Sequence, residues 1–281
     1  AHDMSREWSL ISALGPTAVP VPEALGFCES PDVTGAWFYV MGCINGRPLY
    51  NNEETQEWIP ESKRTTLANS FVDVLADLHS LDPDEIGLGD LGKRDSYVGR
   101  QLKTWYRSWT SSIKGADFDD ARAHALQKFF LEKLPEQEKA RVVHGDYGLH
   151  NCLTGPDCTV AAVVDWEIST LGDPLADLAY ALNFFPDPTD TIPISPEAAT
   201  AVPGFPTRTE MAARYGARTK RDLSNLDYYT AFNRWKSACI VHGLYARYMD
   251  GKKSSEGVDL EHMRSRIDAS LALAEEAVNR L

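Results

Sequence analysis

Three oxygen-bearing side chains stand within twenty residues of one another: Asp146, Asn151 and Asp165. The first two belong to the run Val143-His144-Gly145-Asp146-Tyr147-Gly148-Leu149-His150-Asn151, the third to Val163-Val164-Asp165-Trp166-Glu167. Transfer of a phosphoryl group to a hydroxyl needs such a set: one carboxylate orients the hydroxyl and takes its proton, while a second carboxylate and an amide oxygen hold Mg²⁺ against the phosphates. Hard oxygen donors suit Mg²⁺, which keeps several waters and accepts few protein groups. Asp165 comes fourteen residues after Asn151. A hairpin between them would return Asp165 to Asn151, because antiparallel strands bring their outer ends together.

That geometry depends on the elements around it. Arg141-Val142-Val143 and Thr159 to Val164 read as short strands, and Gly155-Pro156-Asp157 supplies the turn a hairpin needs. After Pro174 a helical pattern runs to about Phe185. Upstream, Asp3 is placed to cap a first helix carrying Trp8, Ile11 and Leu14, which Gly15-Pro16 ends. Trp37 to Met41, bounded by Gly35 and Gly42, reads as a strand. Leu67, Phe71, Val74, Leu75 and Leu78 mark one face of an amphipathic helix. Further helices are expected near Val98–Trp109, Asp119–Leu134, Asp227–Met249 and Glu256–Leu281. Residues 186–206 hold six prolines and form a long loop of the kind that often faces substrate, and Thr207-x-x-Glu210 after it is a capping box.

Composition narrows the partners. A chain of 281 residues is one large domain or two intimate lobes, with enough apolar sequence to bury a core without staples. Its formal charge of −13 argues against a general nucleic-acid or anionic-membrane binder, which needs surplus positive charge. No apolar run approaches the length of a membrane span. Five scattered cysteines without a CxxC pair fit neither a disulfide framework nor a zinc knuckle, and reduced thiols imply a cytoplasmic setting. Cys43 has no activating charge near it in sequence.

The pattern H-x-D-x-x-x-x-N with a downstream Asp resembles the protein kinase catalytic core, with Asp165-Trp166-Glu167 where Asp-Phe-Gly would stand. Gly145 in place of Arg, together with Gly172-Asp173-Pro174-Leu175-Ala176-Asp177-Leu178-Ala179, is more similar to the aminoglycoside phosphotransferase family. Within that branch the chain most resembles the kinase-like domains fused to some acyl-CoA dehydrogenases, through Arg6-Glu7, Val19-Pro20-Val21-Pro22, Arg100-Gln101-Leu102 and Tyr245-Ala246-Arg247-Tyr248.

The resemblance implies an α+β, protein-kinase-like, two-lobed fold. Residues 1–45 would be the remainder of an N-terminal nucleotide-binding lobe, and 46–281 a mostly helical catalytic and acceptor-binding lobe. It also implies ATP and Mg²⁺ as cofactors and a small-molecule hydroxyl as acceptor. Asp146 would be the catalytic base, with Asn151 and Asp165 on the metal. Glu7 would match the glutamate that pairs with an ATP-contacting lysine, and Met41 to Cys43 the hinge that receives adenine through backbone groups. Asp177 would brace the catalytic loop. The Gly-rich loop and its lysine are expected to precede residue 1. The absent Arg before Asp146 and the absent Ala-Pro-Glu motif fit a small-molecule kinase better than a regulated protein kinase.

Each residue also has a plainer reading. His144 is expected to organise its loop rather than act as acid or base, and His79 and His242 to pack inside helical faces. Trp105, Trp109 and Trp235 are expected in the core. Glu167 either supplements the metal and acceptor site or has a structural role. Two rival functions stand beside the kinase: a pseudokinase or nucleotide-binding scaffold, and a non-haem iron oxygenase built on His144, Asp146 and His242.

Overall fold

The computed structural model describes residues 4–281, so the cap expected from Asp3 lies outside the described residues. The chain divides into two compact units, Ala1–Arg94 with Lys139–Leu223, and Asp95–Glu138 with Ser224–Leu281. The lobe boundary expected near residue 45 falls inside the first of them.

The first unit begins with α1 (Met4–Leu14), β1 (Ala24–Cys28), the short α2 (Pro31–Thr34) and β2 (Phe38–Met41). β1 and β2 pair antiparallel, with Phe27 opposite Tyr39 and Cys28 opposite Phe38. α1 packs on this pair through Trp8, whose ring stacks on Phe27 at 5.8 Å. α3 (Asn52–Trp58) and α4 (Glu61–Ser80) follow. α4 buries the apolar face read from sequence, Leu67, Phe71, Val74, Leu75 and Leu78, and adds His79.

The chain then forms α5 (Tyr97–Ala116) and α6 (Ala121–Glu132) of the second unit. α6 starts two residues later than expected because Asp120 caps it, accepting from the Arg122 amide, while Asp119 accepts from the Trp109 indole at 2.8 Å. Back in the first unit come β3 (Arg141–Val143), β4 (Cys152–Thr154), β5 (Val160–Val163), β6 (Thr170–Gly172) and α7 (Pro174–Leu182). β4 and β5 form the expected hairpin, with Cys152 opposite Val163, and the Gly155 amide closes the turn onto the Thr159 carbonyl at 2.9 Å. β6 pairs antiparallel with β3, which the sequence did not signal. α7 ends three residues short of Phe185.

α8 (Arg208–Thr219) opens on the expected capping box of Thr207 and Glu210 and packs on α4 and α7. Residues 186–206 carry no helix or strand. They are tied down by Asn52 to the Pro196 carbonyl, Arg64 to Pro203 and Thr65 to Gly204.

α9 (Leu226–Met249) and α10 (Leu260–Val278) complete the second unit, packing on each other and on α6, with α9 also against α5. α10 starts later than Glu256 because Asp259 is its cap. Trp109 and Trp235 are fully buried, as core tryptophans should be, and the Trp235 indole donates to the Ala123 carbonyl at 2.9 Å. Trp105 is half-buried and donates to Gln101. No described helix is long and apolar enough to cross a membrane.

Candidate active site

β3 delivers the chain into the loop at His144, and α7 fixes that loop from the side. Asp173 caps α7, accepting from the Leu175 amide at 3.0 Å, with Pro174 preset for the first turn. Asp177, also in that turn, then reaches the loop backbone. Its Oδ2 accepts from the His144 amide at 2.7 Å and its Oδ1 from the Gly145 amide at 2.8 Å. Gly145 sits at φ +87°, a left-handed turn out of the strand that favours glycine. His79 of α4 completes the brace, with Nε2 3.3 Å from Asp177 Oδ2 and Nδ1 2.7 Å from the Tyr215 hydroxyl.

Burial pushes the His79 imidazole below its ordinary pKa, despite the Asp177 carboxylate beside it. Burial works against ionisation of Asp177 too, but the hydrogen bond from His79, the nearby imidazoles and the Gly145 amide outweigh it and hold the carboxyl below its usual range. An ionised Asp177 bridging a neutral His79 and two backbone amides is the consistent state.

His144 lies inside the loop that follows β3. Its ring is fully buried, and burial lowers its pKa, so it is neutral at pH 7. Nε2 lies 3.0 Å from the Val164 carbonyl and must donate to it. Nδ1 is thereby left as an acceptor, and the Asp146 amide approaches it at 3.3 Å. One ring ties the loop to the residue preceding Asp165.

Asp146 and Asn151 meet directly. The Asn151 amide nitrogen donates to the Asp146 carbonyl at 2.9 Å and to Asp146 Oδ2 at 3.2 Å. This assignment turns Asn151 Oδ1 away from the Asp146 pairing and leaves it an acceptor. The Asn151 carbonyl in turn accepts from the Val164 amide at 2.9 Å. Asp165 is the next residue, exposed, and held at φ +64°, a left-handed conformation that a non-glycine residue adopts at some cost. The hairpin therefore does what its spacing implied: it returns Asp165 to the Asn151 end.

Two further side chains reach Asp146. Tyr180 of α7 donates its hydroxyl to Oδ1, and His150 Nε2 stands 3.5 Å from Oδ2. Desolvation favours the neutral acid, but hydrogen bonding from His150 and Tyr180 prevails and holds the Asp146 carboxyl below its usual pKa. Neither residue was singled out from sequence. His150 lay inside the motif itself, and Tyr180 is one helical turn beyond Asp177, a spacing that shares a face.

The remaining expected residues are placed as follows. Glu7 on α1 accepts from the Tyr39 hydroxyl at 2.7 Å. Burial and then Glu7 raise the Tyr39 pKa well above that of a free phenol, with a smaller contribution from Asp165. Met41 ends β2 with an exposed side chain, and exposed Cys43 follows Gly42, whose amide donates to the Glu23 carbonyl. All five cysteines are free thiols. Glu167 is half-buried between buried Trp166 and exposed Ile168.

The iron-oxygenase reading gains no support among the described residues. His242 lies in the second unit, stacked on Trp109 at 4.0 Å with Nε2 donating to the Phe118 carbonyl at 3.2 Å, and His144 has Nε2 committed to Val164. Among the described residues no three His, Cys, Asp or Glu side chains form a group that could hold a metal.

Residues 1–217 match the model of a family described as the phosphotransferase enzyme family. The chain belongs to that family. It is 34% identical over 265 residues to acyl-CoA dehydrogenase family member 11 of Gallus gallus, covering 91% of this chain and 33% of that protein. The chain thus spans about a third of the length of that relative. Among solved structures it is similar to a protein of Ralstonia eutropha provisionally assigned as an aminoglycoside phosphotransferase, with a TM-score of 0.82, 29% identity, and coverage of 97% of this chain and 83% of the other. It shares its fold with aminoglycoside phosphotransferase APH(4)-Ia, solved in ternary complex with ADP and hygromycin B, at a TM-score of 0.60 and 16% identity over 96% of this chain and 83% of that one. The fold is the protein-kinase-like, mixed helix-and-sheet fold of the aminoglycoside phosphotransferases.

Proposed function

We propose that this chain transfers the γ-phosphoryl group of ATP to a hydroxyl of a small molecule. The observation that carries the reading is the joining of Asp146, Asn151 and Asp165 through one loop and one hairpin, with the Asn151 nitrogen spent on Asp146 and its oxygen left to accept. Membership of a phosphotransferase family and likeness to a protein solved with ADP support it.

Asp146 is the residue that meets the acceptor hydroxyl. A carboxylate has about four lone-pair sites, and Tyr180, Asn151 and His150 approach three of them. The free position would accept the acceptor O–H and fix its oxygen for attack. A carboxyl held below its usual pKa is a weak base, which suits a loose transition state in which orientation matters more than early proton removal. Asn151 Oδ1 and the Asp165 carboxylate are hard oxygen donors and few in number, the donor set that Mg²⁺ accepts. When bound there, Mg²⁺ would neutralise charge on the phosphates. Glu7 would orient a phosphate-contacting cation, and the backbone from Met41 to Cys43 would receive adenine. Asp177 and His144 would keep the loop in register. Glu167 is left with either of its two roles.

The acceptor is a small molecule with a hydroxyl, either an aminoglycoside or a hydroxy acid and its acyl-CoA form. The net charge of −13 continues to disfavour nucleic acid and anionic membrane as partners, and five free thiols suit the cytoplasm. One observation favours the pseudokinase alternative: Glu7 is engaged by Tyr39.

Mg²⁺-dependent ATP binding and acceptor-dependent ADP release by the full-length protein separate the readings. Asp146→Ala is expected to lose turnover and keep nucleotide, and Asp165→Ala to lose Mg²⁺-dependent binding. Undiminished turnover in Asp146→Ala would remove Asp146 from the mechanism. Nucleotide binding with no release of ADP across a panel of hydroxyl-bearing metabolites and antibiotics would favour the scaffold.

A further inference from the structure

Asp146 leaves β3 on a loop, and about a third of its side chain faces solvent. The side chains of His144 and Asn151 hold its amide and carbonyl, yet those bonds do not fix the rotation of its carboxylate. That rotation decides which lone pair faces an incoming hydroxyl.

α7 contributes to this loop at two levels. Asp177 holds the amides of His144 and Gly145, and Tyr180, three residues on, projects from the same face and donates to Asp146 Oδ1. Phe184 lies one further turn along, with its ring 5.5 Å from Tyr180 and 6.2 Å from His150, meeting both edge to face. The Tyr180 ring is thus backed by an aromatic neighbour. Among the described residues Tyr180 is the side chain that donates to Oδ1. The Oδ2 side is held more loosely, by Asn151 at 3.2 Å and His150 at 3.5 Å.

We propose that Tyr180 is the positioning residue of the site: its hydroxyl clamps one lone pair of Oδ1 and sets the rotation of the Asp146 carboxylate, so that the remaining Oδ1 lone pair faces the acceptor. This rests on the phosphotransferase reading above for its consequence in catalysis, but the clamp itself is a property of the folded chain. Tyr180 acts through Asp146 and does not itself touch the transferred group. A fixed carboxylate saves the orientation loss that a freely rotating one would meet at each turnover. A hydrogen bond to a charged group is also worth more than one between neutral groups.

The test is Tyr180→Phe in the full chain, which keeps the ring on Phe184 and removes only the oxygen. Two measurements are made. High-resolution crystal structures of parent and variant compare the Asp146 rotamer, and steady-state kinetics compare turnover. The Asp146 side chain is expected to leave its parent rotamer or split between two in the variant. With acceptor saturating, kcat is expected to fall about ten-fold, with KM for MgATP within about two-fold of the parent and the thermal midpoint lowered by only a few degrees. That split separates positioning from a general loss of structure. An Asp146 carboxylate that keeps its place in Tyr180→Phe overturns the clamp, whatever the rate. If the rotamer changes but the parent protein shows no phosphotransfer with any acceptor, the clamp stands and the phosphotransferase reading falls.

Discussion

Replacing Asp177 by Asn changes one oxygen for an NH₂ group and should be among the most damaging single substitutions in the first unit. In the native site Oδ1 accepts from Gly145 and Oδ2 from His144 and His79. An asparagine can accept at only one position. Either the His144 or the Gly145 amide then faces another donor in a site where Asp177 is almost fully buried. A hydrogen bond to a charged group contributes about 1.5–3 kcal/mol, and a buried donor left unsatisfied costs about 1–3 kcal/mol. His79 can follow the change by shifting its proton to Nδ1 and donating to Tyr215, so its contact need not be lost. Neutralising a buried carboxylate also recovers part of its desolvation cost. The net expectation is a loss of about 2–4 kcal/mol, a large share of the roughly 5–15 kcal/mol that holds a domain together. Urea unfolding at pH 7 followed by circular dichroism reads the global value. Amide exchange at His144 and Gly145, expected to quicken in the variant, reads the local one. A loss below about 1 kcal/mol with exchange unchanged would show that these amides do not depend on Asp177.

Three other outcomes follow from particular contacts. Gly148→Ala would place its new Cβ 2.6 Å from His150 Nδ1 and against its Cε1; His150 should swing off Asp146, with stability falling by at most about 1–2 kcal/mol because a side chain can yield, and a structure with His150 in place contradicts this. Asp165→Gly relieves a left-handed residue and should raise stability by about 0.5–1 kcal/mol while Mg²⁺-dependent nucleotide binding, followed by calorimetry, disappears; retained binding removes Asp165 from the metal site. His79, His144 and His242 are each kept neutral by burial, with pKa values pushed below 6.5. Below about pH 6.5 the unfolded chain takes up protons that the folded chain declines, so stability is full above that pH and falls as pH drops through it, by up to about 1.4 kcal/mol per pH unit for each histidine. A urea midpoint that stays constant from pH 7.5 to 5.5 would contradict neutral burial.

What the sequence disclosed about the fold follows its periodicity. α4, α5, α9 and α10 were legible because their apolar positions repeat over several turns, and the Thr207–Glu210 box marked the start of α8 to the residue. β1 and β6 were not. β1 (Ala-Leu-Gly-Phe-Cys) has neither alternation nor β-branched residues, and its place follows from pairing with β2 and packing under Trp8. β6 is three residues long, and only its long-range pairing with β3 makes it a strand. The helix starts that moved most, at α6 and α10, moved to an aspartate able to cap, a local choice among several acids in sequence.

The site shows the same division for a different reason. Asp146, Asn151 and Asp165 could be grouped from sequence because one short hairpin joins them, and hairpin geometry is nearly fixed by its turn. His79 and Tyr39 could not, because each comes from another element and no local spacing encodes that arrival, and Tyr180 was signalled only by its helical spacing from Asp177. Asp177 was assigned a bracing role through family resemblance, yet the physical reason is visible only with β3 and β6 paired. Their register carries Gly172 back to Arg141, so α7 begins at the foot of β3 and its first turn lies beside the loop that leaves the other end of that strand. A shift of α7 by a single residue would turn Asp177 about 100° away from the His144 and Gly145 amides and take Tyr180 from Asp146 in the same motion. The brace on the backbone and the clamp on the carboxylate are therefore one constraint, and a variant that weakens the β3–β6 pairing should loosen both together.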